Sequence, residues 1–351
     1  MVRFDPTALD RAFEVPARQI ADGVVPWAVL GVADADDVVR LEAFPGPGTR
    51  GVAVDTVCLL ASITKPIVAT VVSQLVAEGR LTLTEPIERV LPEAAGLGEP
   101  PISAWHLLSH TAGLADVDSL DLLSRGASHE EAVAALLTQP RVAPPGAAFR
   151  YATATFDLLA SMIARLDDRP YPEALRARLL DPLAMPDTMF DPRSLPEQRV
   201  VLPLQPPAVG GGSVPTEIAS AFISMAMPGA GLWGTAPDLL RFGRAMLRGG
   251  ELDGARVLPK RFVERMTGET TVGGLGETGD PVTADHYALG WGKPGVASLG
   301  SPEAFGHGGI TGTRLWVDPA ADLVFVYLTG VWDLPFEVSE AALNGVYAAL
   351  G

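Results

Sequence analysis

Strand-like patterns lie near both ends of this 351-residue chain, and helical patterns fill its middle. The strand-like runs are 27–32 and 38–43 near the start, and 287–291, 315–318 and 323–329 near the end. The acidic turn 34–37 joins the first two runs as a hairpin. We therefore predict one sheet that is built from both ends of the chain, with a helical insertion between them.

Helical patterns account for most of the remaining chain. The candidate helices are 6–23, one that Ser62 opens and Gly79 ends, 103–109, 129–138, 153–167, 171–180, 236–248 and 336–350. We expect an α/β sheet domain of residues 1–75 and 256–351, a mainly helical domain of residues 76–255, and an active site between them. The segment 192–215 is rich in proline and glycine, which predicts a flexible wall or lid over that site.

The composition excludes several classes of protein. A net charge of −16, from 26 basic and 42 acidic residues, argues against binding to nucleic acid or to an anionic membrane surface. No run approaches the roughly eighteen apolar residues of a membrane span, and no uninterrupted apolar region of a secretory signal follows Met1. Cys58 is the only cysteine, which excludes an internal disulfide and suits a reducing compartment. We expect a cytoplasmic protein.

Ser62 and Lys65 are the first candidates for catalysis. They lie three residues apart, and residues at that spacing share one face of a helix, so the amine is expected within hydrogen-bond reach of the hydroxyl. A serine hydroxyl is a weak nucleophile until a neighbouring base takes its proton. The chain holds three lysines and fifteen serines. A chance pairing at this spacing is therefore improbable, and the pair indicates a serine hydrolase.

Two further segments carry groups that suit this chemistry. Tyr151 stands where a loop meets a predicted helix, and its phenol can exchange protons with a serine or a leaving group. The run His307-Gly308-Gly309 precedes a strand-like stretch. Glycines in such a place let a substrate approach the backbone, whose N–H groups can stabilise an oxyanion.

Seven short blocks follow one another along the chain. They are Ala61–Pro66, Leu107–Leu114, Pro145-Gly146 with Phe149 and Tyr151, Pro182–Met185, Gly231-Leu232 with Asp238, Leu289–Trp291, and His307–Gly309. In order and spacing the chain resembles, over nearly its whole length, the serine β-lactamase and penicillin-binding-protein superfamily, and within it the class C-like branch that includes the family VIII carboxylesterases. The resemblance implies the β-lactamase/DD-peptidase-like fold, an antiparallel sheet flanked by helices with a helical insertion domain.

The resemblance also implies an acyl-enzyme mechanism without a cofactor or a metal. Ser62 would be the nucleophile and Lys65 the amine that activates it. Tyr151 would serve as general base in acylation or as general acid to the leaving group. The oxyanion hole would consist of the backbone N–H groups of Ser62 and Ile310.

Two departures from the family pattern concern the residues that would bind substrate, namely Thr153, His307, Gly308 and Gly309. The family usually has asparagine where this chain has Thr153, so an amide that contacts acylamino substrates is replaced by a hydroxyl of shorter reach. It usually has lysine where this chain has His307, which carries at most part of a charge near neutral pH. Both changes favour a small-molecule ester that lacks a carboxylate over a β-lactam or a peptidoglycan peptide.

Other functions remain open at this stage. The same residues would serve an acyltransferase, because only the acceptor of the acyl group differs. Amide chemistry, as in a β-lactamase or a D-amino-acid peptidase, is a second alternative, and a non-catalytic binder that kept the fold is a third. The sequence does not indicate an oligomeric state.

Some of these residues also have simpler interpretations. Ser62 could be the N-cap of a helix, and Cys58 a buried apolar filler. His106 and His110 have the spacing of two metal ligands, but Leu107 stands where the helical metalloprotease motif has its glutamate. We therefore expect His110 to end a helix or to make a hydrogen bond.

Overall fold

The structure is a computed structural model that describes residues 4–49, 51–205, 212–213, 216–268, 270, 274–275, 281–282, 287–295 and 297–351. The strands are β1 (Trp27–Ala33), β2 (Val38–Pro45), β3 (Val57–Leu59), β4 (Val200–Val201), β5 (Leu204–Gln205), β6 (Gly212–Ser213), β7 (Trp233–Gly234), β8 (Glu251–Leu252), β9 (Ala255–Arg256), β10 (Gly274–Leu275), β11 (Pro281–Val282), β12 (Phe305–Gly309), β13 (Thr313–Asp318) and β14 (Leu323–Leu328). The helices are α1 (Pro6–Ala21), α2 (Thr64–Ala77), α3 (Ala104–Leu108), α4 (Ser119–Ser124), α5 (His129–Leu137), α6 (Thr155–Asp167), α7 (Tyr171–Leu175), α8 (Thr216–Met225), α9 (Ala236–Leu247), α10 (Lys260–Thr267) and α11 (Phe336–Tyr347).

A five-stranded antiparallel sheet, in the order β12-β13-β14-β1-β2, joins the two ends of the chain. The ends meet where β1 pairs with β14, with Val29 opposite Leu328 and Ala33 opposite Val324. Every residue of β1 and of β14 is buried, which explains why these strands read as continuous apolar runs rather than as alternating ones. The predicted sheet built from both ends is confirmed.

Helices cover both faces of this sheet. On one face α1 and α11 pack on each other and on the strands, in an apolar cluster that includes Phe13, Phe325 and Val346. On the other face α9 packs against β1, β13 and β14. The predicted domain division, which stays a prediction, assigns α9 to the helical part of the chain, yet its contacts are with the sheet.

The helix α2 runs through the interior of the molecule. All its residues from Thr64 to Leu75 are buried, as expected for a helix whose surface is apolar on every side. It packs against α6, and the 3₁₀ turn Ala61–Ile63 that precedes it contacts β12 and β13. The start of α2 therefore lies where the edge of the sheet meets the helices, and Ser62 lies in that turn.

Most of the predicted helices and strands are confirmed, but one strand is wrong. Residues 287–291 form no strand; Tyr287 makes only an isolated bridge to Gly292. Gly290 has a φ of +79°, a left-handed conformation that interrupts an extended chain. Conversely, β12 was not predicted, because its run of glycines shows no alternation of apolar and polar residues.

The proposed lid, 192–215, falls partly outside the described residues. Its described part contains two 3₁₀ turns and the short strands β4, β5 and β6, while residues 206–211 and 214–215 are not described. The lid hypothesis stays a prediction. Within the described ranges, no helix has the length and apolar content that crossing a bilayer requires.

The close packing of α9 on the sheet predicts the effect of one substitution. A Cβ on Gly243 would lie 2.4 Å from Cγ1 of Val324 on β14, so a valine there has no room. We expect Gly243→Val to lower the free energy of unfolding by about 1–3 kcal/mol, as overpacked cores do. Urea unfolding measures this, with Gly96→Val as the control because nothing lies within 4 Å of a Cβ there. Equal loss of stability in both variants would contradict the packing.

Candidate active site

A strained turn presents Ser62. Ala61, directly before it, has a φ of +48°, a left-handed conformation that costs a non-glycine residue about 1–2 kcal/mol. The turn is held in place by Thr64, whose Oγ1 donates to the Ala61 carbonyl at 2.7 Å and accepts from the Leu232 N–H at 3.1 Å. Backbone strain of this kind concentrates at functional sites.

The Lys65 amine lies next to the Ser62 hydroxyl, as the spacing predicts. Its Nζ is 3.2 Å from Ser62 Oγ, 2.8 Å from the Gly229 carbonyl oxygen and 3.3 Å from Thr153 Oγ1. A carbonyl can only accept, so Gly229 takes one N–H of the amine. In its neutral form the amine also has a lone pair, which can accept the proton of a hydroxyl.

Burial makes Lys65 an unusual lysine. The side chain is fully buried, and the loss of hydration lowers its pKa to about 7, although the charges of Asp116 and Asp157 oppose this shift. An ordinary lysine amine is almost entirely protonated at neutral pH. The Lys65 amine is therefore divided between its charged and neutral forms near pH 7.

Tyr151 lies beside this amine. Its ring centre is 4.7 Å from Lys65 Nζ, and its ring packs on that of His110 with centres 4.3 Å apart. The residue is 38% exposed, which no core aromatic would be. The sequence prediction that Tyr151 stands near Ser62 and Lys65 agrees with this geometry, and its catalytic role stays a prediction.

His110 packs against the ring of Tyr151. It follows the end of α3 with a φ of +54°, and its Nδ1 accepts the N–H of Ala152 at 3.2 Å. Burial lowers the pKa of His110 well below its usual value, so the ring is neutral. The expectation that His110 ends a helix and makes a hydrogen bond is confirmed.

His106 is occupied elsewhere, because its Nδ1 accepts the N–H of Ser103 at 3.1 Å in a cap of α3. Across the portion of the chain that the structure describes, no group of three or more His, Cys, Asp or Glu side chains is placed to hold a metal ion.

Both ring nitrogens of His307 are engaged by the protein. Nδ1 lies 2.7 Å from the Gly308 carbonyl, which can only accept, so Nδ1 carries the hydrogen. Burial and the nearby Lys65 lower the pKa of His307 to about 3, so the ring is neutral and Nε2 is an acceptor. It accepts the hydroxyl hydrogen of Tyr287 at 3.0 Å. Sequence reasoning missed Tyr287, since no local pattern linked it to His307.

The turn between β12 and β13 is fastened to the segment before Ser62. Thr311 donates its hydroxyl to the Leu59 carbonyl at 2.7 Å, and Thr313 donates to the Leu60 carbonyl at 2.9 Å. A Cβ on Gly309 would lie 2.4 Å from the Leu60 oxygen, so only glycine allows this approach. These contacts bring the backbone around Ile310 next to Ser62, which is what the predicted oxyanion hole needs.

Thr153 and Gly229 supply the two other oxygen atoms that contact Lys65 Nζ. A Cβ on Gly229 would lie 2.7 Å from the Thr153 backbone oxygen, so the two segments touch. Thr153 was predicted to bind substrate, and in the structure its hydroxyl contacts Lys65. Gly229 was not predicted, because a Pro-Gly pair in the sequence indicates only a turn.

Ser161 is another serine next to a possible base, in this case a histidine. Ser161 Oγ is 3.1 Å from His129 Nε2, and His129 Nδ1 is 2.9 Å from Asp157 Oδ1. Ser161 lies in the middle of α6, where backbone N–H groups bond within the helix and are not available to an oxyanion. The cluster of Ser161, His129 and Asp157 therefore lacks free backbone N–H groups such as those predicted to form the oxyanion hole beside Ser62.

Comparison with known proteins agrees with the fold. The Beta-lactamase family model matches residues 14–349. Protein Rv1367c of Mycobacterium tuberculosis is 32% identical, over 78% of this chain and 77% of its own length. Esterase EstB of Burkholderia gladioli is 30% identical over the same shares. A crystal structure of a family VIII carboxylesterase superposes with a TM-score of 0.81 at 23% identity, covering 99% of each chain. The chain belongs to the beta-lactamase family.

Proposed function

We propose that this protein is a serine hydrolase that cleaves a small-molecule ester through an acyl-Ser62 intermediate. The observation that carries the proposal is the buried Lys65 amine, 3.2 Å from Ser62 Oγ and with its pKa lowered to about 7. A nucleophile with an adjacent base of this kind is the arrangement that acyl transfer requires. Family membership and the relative named as an esterase support the same chemistry.

In the first half of the reaction, Ser62 Oγ attacks the ester carbonyl carbon while its proton passes to the neutral Lys65 amine. The resulting oxyanion faces the backbone N–H groups of Ser62 and Ile310. When the intermediate collapses, the bond to the alcohol oxygen breaks and that oxygen takes a proton. The products are the free alcohol and acyl-Ser62, and water then releases the acid by the same steps in reverse order.

Tyr151 and Lys65 share the movement of protons. The Tyr151 ring lies 4.7 Å from the amine, so a charge on either group changes the acidity of the other. Tyr151 is more exposed than Lys65, which suits proton delivery to the leaving alcohol. Proton uptake and proton release are therefore assigned to Tyr151 and Lys65 together and not to one residue each.

The surroundings of Ser62 favour an uncharged ester. A neutral His307 with both ring nitrogens engaged offers no cation to a substrate carboxylate. The Thr153 hydroxyl is directed at Lys65 rather than reserved for an acylamino group. Gly308 and Gly309, which the sequence predicts to bind substrate, pack closely against Phe336 and Leu60. We place the substrate between the sheet and the helical part of the chain.

We also propose that the protein acts in the cytoplasm. Cys58 is its single cysteine and is fully buried, so the fold holds no disulfide that an oxidising compartment would be needed to form. The net charge of −16 suits a soluble enzyme that acts on small molecules.

Covalent labelling tests the nucleophile. A fluorophosphonate should add once to the wild type, at Ser62, and intact-mass measurement should show no adduct on Ser62→Ala. Ser161→Ala is the matched control, because Ser161 contacts a histidine that could act as a base yet lacks nearby free N–H donors, and this variant should be labelled like the wild type. A wild type that stays unlabelled, or an adduct on Ser161, would contradict the proposal.

Substrate preference tests the assignment to esters. Short-chain nitrophenyl esters should be hydrolysed at least about 100-fold faster, in kcat/KM, than a chromogenic cephalosporin, because a neutral His307 cannot pair with the carboxylate of the cephalosporin. A D-alanyl anilide should also be the poorer substrate, because its amide carbonyl is less reactive than that of an ester. Parallel steady-state assays measure this. Faster hydrolysis of the cephalosporin than of the esters would reverse the assignment while leaving Ser62 as the nucleophile.

A further inference from the structure

Tyr287 lies between two parts of the site, and the mechanism above gives it no role. The residue is 4% exposed. Its ring packs edge-on against His110, with ring centres 4.9 Å apart, and is tilted against Phe149 at 5.6 Å. Its hydroxyl oxygen is 3.0 Å from His307 Nε2. Tyr287 therefore links the rings beside Tyr151 to strand β12.

Backbone hydrogen bonds hold the segment that carries Tyr287 against β12. The Tyr287 carbonyl accepts the N–H of Thr270 at 2.9 Å. Gly292, which bridges to Tyr287, exchanges two backbone hydrogen bonds with Gly306 of β12, at 2.8 and 3.0 Å. The fold thus places the Tyr287 hydroxyl beside His307, and the contact does not depend on a chance side-chain conformation.

This contact takes the one nitrogen of His307 that a substrate could otherwise use. Nδ1 donates to the Gly308 carbonyl at 2.7 Å, which leaves Nε2 as the ring nitrogen for any other partner. A hydroxyl donates to a bare nitrogen and accepts from a protonated one, so Tyr287 pairs with Nε2 in either protonation state. In the described structure, neither ring nitrogen of His307 is left for a substrate.

His307 lies where the alcohol part of an ester would bind. Its ring centre is 6.2 Å from that of Tyr151, the residue proposed to deliver a proton to the leaving alcohol. A histidine N–H there would be a natural partner for a carboxylate on that alcohol. With Nε2 already paired, such a carboxylate would lose its hydration without gaining a partner, which is costly.

We propose that Tyr287 is a positioning residue that sets substrate specificity: it holds His307 Nε2 and so denies that nitrogen to the substrate, and the site prefers esters whose alcohol part carries no carboxylate. This inference rests on the proposed function, in which Ser62 is acylated. It adds the residue and the part of the substrate that decide the preference. The hydroxyl is the part of Tyr287 that the inference needs, so removal of one oxygen atom tests it.

Two aryl esters test the inference directly, because phenyl acetate and 3-acetoxybenzoate differ only by a carboxylate on the alcohol part. The wild type should hydrolyse 3-acetoxybenzoate more slowly than phenyl acetate. Tyr287→Phe leaves Nε2 able to carry a hydrogen and pair with the carboxylate. The ratio of kcat/KM for 3-acetoxybenzoate to that for phenyl acetate should therefore rise at least about tenfold, the effect of one hydrogen bond to a charged group. An unchanged ratio would overturn the inference.

Two controls separate specificity from a loss of packing. Tyr327 is also buried and also loses one hydroxyl contact, 2.8 Å to Gln19 Oε1, but it belongs to the apolar cluster of α1 and α11. Tyr327→Phe should leave the ratio unchanged. In a His307→Ala background, Tyr287→Phe should no longer change the ratio, because the effect acts through Nε2. A rise in Tyr327→Phe, or one that persists without His307, would show that the effect is structural and would contradict the proposed role.

Nitrogen NMR of ¹⁵N-histidine-labelled protein separates this inference from the proposed function, because it needs no turnover. The chain has five histidines, and the His307 signals are those absent from His307→Ala. The Nε2 signal should shift in Tyr287→Phe, and added benzoate should shift it further in that variant but not in the wild type. A signal that neither change moves would reject the role of Tyr287 alone, whereas failure of the fluorophosphonate to label Ser62 would reject the hydrolase.

Discussion

The burial of one lysine amine is the constraint on which the site depends. An ammonium group without solvent is costly, and Lys65 Nζ has three oxygen contacts in place of water. Burial lowers its pKa although the charges of Asp116 and Asp157 oppose the shift, so it loses its proton far more readily than an exposed lysine. In the proposed mechanism, this lowered pKa is what makes the amine a usable base for Ser62. The burial that makes the Lys65 ammonium costly is thus also the cause of its lowered pKa.

Three separate parts of the chain build this environment. The 3₁₀ turn before α2 carries Ser62 and the first turn of α2 carries Lys65. The segment before α6 supplies Tyr151 and Thr153, and the β12–β13 turn closes the third side. The sheet that unites both ends of the chain fixes that turn, since β12 is its edge strand and the hydroxyls of Thr311 and Thr313 fasten it to the residues before Ser62. Strain at Ala61 is tolerated because this packing determines the turn.

Local patterns predicted what depends on neighbours in sequence. The strands β1, β2, β13 and β14, the buried helix after Ser62 and the approach of Lys65 to Ser62 follow from apolar periodicity and residue spacing, and all of these are present. The glycine-rich β12 escaped prediction because its strand identity comes from pairing, and 287–291 failed because Gly290 interrupts it. Gly229 and Tyr287 act through contacts between distant segments, which no single stretch of sequence records.

The central claim is that the Lys65 amine is neutral in a large fraction of molecules near pH 7. Titration of its ¹³Cε signal tests this most directly, with the signal identified by its absence from Lys65→Met; the chain has only three lysines, so overlap is small. We predict a midpoint at about 7. A midpoint near the ordinary lysine value of about 10.4 would show that the amine stays charged, and Lys65 would then not be the base that activates Ser62.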